Sequence, residues 1–199
     1  MKPTQVRTPI GEIHYFGAGF FDLLGQSEGL ESIRALLARG IPVRTAAVRK
    51  ILTARVREVD TQRGLFEGWF DGLTVSNIGK RRGLRNRDLN LRWNSDSVVM
   101  WQSLTGLDGK ADLRVLADLM QGSAVASLGL LSRNLPMRGG IEVDFADEFW
   151  KKPREIYGPA LLSAYRLEGR TAGWPRVALG ANALLLLFHY KPPNPSVTT

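Results

Sequence analysis

Asp88 to Trp101 reads DLNLRWNSDSVVMW, two short apolar-rich runs on either side of the polar tip Asn94-Ser95-Asp96-Ser97. Leu89, Leu91 and Trp93 alternate with polar neighbours, and Val98 to Trp101 is a β-branched and aromatic run. That pattern predicts a β-hairpin presenting Asp96 at its turn. A turn aspartate is ordinary by itself. A second carboxylate, Asp22, stands in a similar place, at the end of the apolar run Ile13 to Phe21, which two glycines interrupt. A carboxylate at a strand end is suited to holding a hard cation.

Composition bounds what can be built around this pair. The 199 residues fit one domain with a real core, and 44% hydrophobic with 23% charged content is ordinary for a globular protein. Ala183 to Phe188, the longest apolar run, is far shorter than a membrane span and reads as a core strand or helix piece. The N-terminus lacks the apolar core of a signal peptide, so the expected location is cytoplasmic. With no cysteine and only two isolated histidines, His14 and His189, any metal would be held by oxygen. The net charge of +8 calls for an anionic partner such as a nucleotide, polyphosphate or nucleic acid. Its densest cluster, KRRGLRNRD from Lys80 to Asp88, has no interleaved aromatics, so nucleic acid ranks below nucleotide as the expected partner.

Strands and helices alternate along the chain. Ser27 to Arg39 has a helical stripe, Leu30, Ile33, Leu36 and Leu37, with Gly40 as its stop. Val43 to Val59 carries another stripe, Val48, Ile51, Leu52 and Val56, although its β-branched residues leave strands open. From Asp60 to Arg87 the glycines and Trp69-Phe70-Asp71-Gly72 predict a hairpin or irregular insertion. Asp108 to Asn134 reads as a long helix that Gly122 and Gly129 could break, and Pro136 to Phe145 as a strand followed by the polar loop ADEFWKKPRE. A helix from Ala160 to Arg170 and a closing strand from Pro175 to Leu179 follow. The order β-α-β-β-α-β predicts an α+β, ferredoxin-like domain spanning 1–190, with an insertion at about 42–87 and a proline-rich, disordered tail at 191–199.

FFDLLG, NSDSVV, RGGI, EIYGPALLSAYRLE and WPRV, in that order, resemble the signature of the class III nucleotide cyclases, most closely the pyrimidine cyclases of bacterial anti-phage defence. The resemblance covers Phe20 to Val177. It implies a mostly antiparallel sheet with helices packed on it, and two divalent cations, Mn2+ or Mg2+, held by Asp22, the Leu23 carbonyl and Asp96. It also implies base reading by Arg92 and Glu155 and transition-state stabilisation by Arg166. Leu162 stands where the family places a catalytic asparagine, and a leucine cannot hydrogen-bond a ribose or phosphate. The implied reaction is UTP to 3′,5′-cyclic UMP and pyrophosphate, with CTP to cyclic CMP as the near alternative. The implied partners are a second copy of the chain, forming composite active sites, and a downstream effector that senses the cyclic nucleotide. A non-catalytic cyclase-like domain and a basic nucleic-acid-binding protein are the other readings the residues leave open.

Overall fold

The computed structural model describes residues 14–24, 26–77, 89–104, 113–149, 155–170 and 175–189, with side chains left aside at 26–30 and 69–77. The Lys80 to Asp88 cluster and the expected tail lie outside them.

The predicted hairpin forms as β2 (Asn90–Asn94) and β3 (Ser97–Ser103), antiparallel with Asn94 opposite Ser97. β3 continues the sheet by pairing with β1 (His14–Leu23), so that Asp22 lies opposite Ser97. On its other edge β1 pairs along its whole length with β4 (Met137–Phe149). The order β2-β3-β1-β4 of antiparallel strands is the ferredoxin-like arrangement. β5 (Glu155–Tyr157) adds antiparallel to the far end of β4, and β6 (Val177–Leu179) adds parallel to its near end. The protein is thus α+β, with a six-stranded, mostly antiparallel sheet and five helices among the described residues.

Alternation along the strands divides the core in two. One face carries Phe21, Leu23, Val98 and Met100, which pack with Val115, Leu116 and Leu119 of α3 (Arg114–Leu131). The other carries Phe16, Ala18 and Trp101, packed with Ile156 and with Ala160 of α4 (Pro159–Arg170). The second contact depends on a missing side chain. A Cβ on Gly140 would lie 2.6 Å from Leu167 Cβ, so only glycine lets α4 lie this close to β4.

Several elements differ from the sequence expectation. α1 (Gln26–Ala38) matches, but α2 runs unbroken from Ala46 to Asn77, through the stretch read as a hairpin or irregular insertion. Gly64 and Gly68 cost helix stability, yet burial of Gln62 and Phe66 beside them holds the helix together. Gly122 and Gly129 do not break α3, and both lie on its buried side. Ala146 to Phe149 continues β4 rather than forming a loop. Ala183 to Phe188 falls in α5 (Ala181–His189), a helix piece that touches the core on one side only: Ala183 is buried and Leu186 packs against the core, but Phe188 is 81% exposed. Among the described residues no helix is long and apolar enough to cross a membrane.

Candidate active site

Parity along β1 puts Asp22 on the α4 face with Phe16, Ala18 and Phe20. It is the penultimate residue of the strand rather than the residue beyond it. The next residue, Leu23, buries its side chain in the opposite core and donates its backbone N–H to the Asp96 carbonyl at 3.0 Å. That bond ties the hairpin turn to the end of β1. The two carboxylates consequently feel one another. Burial raises the Asp22 pKa, and the negative charges of Asp96 and, more weakly, Glu168 raise it further, against the lowering effect of Arg138.

Arg138 brings a cation to this end of the sheet. Directly opposite Asp22 in the β1–β4 register, it donates Nη2–H to Asp22 Oδ2 at 3.1 Å, and its Nε faces Glu168 Oε1 in an ion pair. Glu168, on α4, is only 4% exposed. Neither residue was singled out from the sequence. Arg138 begins the RGGI stretch and Glu168 stands two residues after Arg166, but nothing local signals an ion pair between a strand and a helix thirty positions apart.

The remaining candidates fall into two groups. Arg92 lies on β2 opposite Val99, on the same face as Asp22. It stands two strands across and one pleat back, roughly 12 Å away by ordinary strand spacing. The β4–β5 ribbon folds over this face, so that Glu148 accepts from Asn90 Nδ2 and Trp101 Nε1, each at 3.1 Å, and Glu155 forms an ion pair with Arg92. The two candidate base readers are therefore together, and both are nearly half exposed. Arg166 is not with them. Ala160, Ala164 and Glu168 form the buried side of α4, and Arg166, two residues before Glu168, lies roughly 200° around the helix on its exposed side. Leu162, one turn before it, is 47% exposed on the same outer side. Glu168 is thus turned to Arg138 and away from Arg166.

Among the described residues no three His, Cys, Asp or Glu side chains converge as a ready-made metal cage. Two carboxylates remain a fitting donor set, because Mg2+ is commonly held by one or two carboxylates plus substrate phosphates. No protein-family model matches the chain, and no curated protein matches it. Among solved structures it is similar to a class III adenylyl cyclase-like ATP-binding protein from Pseudomonas aeruginosa, at 15% sequence identity and a TM-score of 0.37. That alignment covers 86% of this chain and 34% of the other, so this chain spans about a third of that structure's length.

Proposed function

We propose that the chain is a nucleotide cyclase that converts UTP, or CTP as the near alternative, to the 3′,5′-cyclic monophosphate and pyrophosphate, as a signal for a cyclic-nucleotide-sensing effector in anti-phage defence. The observation that carries this reading is the crowding of Asp22 against Asp96, tied together by the Leu23 to Asp96 backbone bond. Two like charges held in place at the end of a sheet are relieved by a cation.

Asp22, Asp96 and the Leu23 carbonyl would hold the divalent ions, Mn2+ or Mg2+. Bound there, such ions would lower the pKa of the ribose 3′-hydroxyl and neutralise charge on the phosphates. The chain's own groups do the rest. Arg92 and Glu155, paired side by side, offer a donor and an acceptor to the complementary edge of uracil, and with partners reversed to cytosine. The Arg166 guanidinium, exposed on α4, meets charge developing on the phosphoryl oxygens. Because it faces away from the aspartates of its own chain, it would serve those of a second copy across a two-fold axis.

A second reading is favoured by one contact. Arg138 already occupies Asp22 Oδ2, and a guanidinium there competes with a cation, as in a domain that binds nucleotide without turning it over. Incubation with each of the four NTPs and Mn2+, with products resolved by mass spectrometry, separates the two. Cyclic UMP or cyclic CMP is expected. Absence of cyclic product, with nucleotide still bound to the protein after gel filtration, would favour the second reading.

A further inference from the structure

The turn that carries Asp96 is gripped from a side that the proposed chemistry does not use. Ser95 has φ 58°, in the left-handed region that non-glycine residues rarely enter and hold only where neighbours fix it. The neighbours come from α2. Arg63 donates Nη2–H to the Ser95 carbonyl, and its guanidinium lies over the Trp93 ring, 5.3 Å from the centroid. The Trp93 indole N–H in turn donates to Glu67 Oε1 at 2.6 Å, and its ring meets Phe66 edge-on at 5.5 Å. Phe66 is fully buried and packs 6.1 Å from Phe21, the residue before Asp22. One turn of α2 therefore touches the strand that bears Asp22 and the tip that bears Asp96.

Two consecutive carbonyls of the tip are held from different elements. Arg63 takes that of Ser95, and the Leu23 N–H takes that of Asp96. Strand pairing of Asn94 with Ser97 closes the turn, and the two carbonyl bonds further restrain the Ser95 and Asp96 peptides inside it, and with them the direction in which Asp96 leaves the backbone. Crowded against Asp22, an unheld Asp96 would turn outward. Resting on the cation reading of that pair, we propose that Arg63 is a positioning residue: braced on Trp93, it locks the turn so that Asp96 stays facing Asp22 for a divalent ion.

The test is Mn2+ binding to the full chain without nucleotide, read by electron paramagnetic resonance, alongside hydrogen exchange of the segment 91–98. Arg63→Ala should raise the Mn2+ dissociation constant about tenfold or more, the usual consequence of losing a group that orients a ligand, and should speed exchange at the tip. Arg63→Lys keeps a cation over Trp93 and one donor, so it should recover part of the affinity. A purely structural role would not give that graded recovery. Equal Mn2+ affinity in wild type and Arg63→Ala overturns the positioning role and leaves the cation reading standing. Wild-type protein that binds Mn2+ no better than Asp96→Ala overturns the cation reading, and the role of Arg63 falls with it. If Arg63→Ala does not fold, Arg63→Lys and Trp93→Phe decide: weakened Mn2+ binding supports the proposal, and unchanged binding in both refutes it.

Discussion

Asp22 is the residue whose charge costs the fold most visibly. Because folding raises its pKa above 3.8, the native chain holds the proton more tightly than the unfolded chain does. The resulting stabilisation is complete below 3.8 and is lost as pH rises through the raised value, leaving an ionised Asp22 as a net cost near neutrality. With divalent ions chelated, Asp22→Asn should therefore gain melting temperature relative to wild type as pH is raised from below 3.8 to neutral. A difference that stays constant across that range would refute the crowding. Added Mn2+ should raise the melting temperature of wild type and not of Asp22→Asn. Arg138 gives the opposite result. Removing it as Arg138→Leu breaks its ion pair with the buried Glu168 and should cost about 3 kcal/mol, the low end for breaking a buried pair, measurable by urea unfolding at neutral pH.

At the scale of elements, α4 is placed by Gly140, and Gly140→Ala should lose about 1–3 kcal/mol from overpacking, read as a lower urea midpoint with an unchanged slope. A midpoint equal to wild type would mean that α4 can move aside freely. Local elements were the legible ones. The β2–β3 hairpin announced itself through Leu91, Trp93 and the Asn94 to Ser97 turn, because alternation and turn chemistry are short-range properties. The second half of α2 was hidden, since its glycines argue locally for a break and the burial that overrules them is tertiary. The same division runs through the site. Asp22 and Asp96 could be read from their strand ends, whereas Arg138, Glu168 and Arg63 act through partners 116, 30 and 32 positions away.

For the whole molecule, the exposed position of Arg166 makes a prediction about assembly. If active sites are composite, Asp96→Ala and Arg166→Ala proteins should each be inactive alone. Mixed in equal amounts and allowed to exchange subunits, they should recover at most about a quarter of wild-type activity, because half the dimers would have one intact site of two. No recovery, with exchange verified by mass, would mean that the site is built within one chain. The antiparallel β1–β4 pairing described above also sets an order of events during synthesis. Strand β1 emerges before its sheet partners, and the hairpin bearing Asp96 can close on it once made, but Asp22 waits until residue 138 has left the ribosome for its partner. Contacts of such long range form late and slowly. A nascent chain therefore carries its two crowded aspartates uncompensated from the synthesis of residue 96 to that of residue 138, and the arrival of Arg138 both pairs with Asp22 and closes the sheet around it.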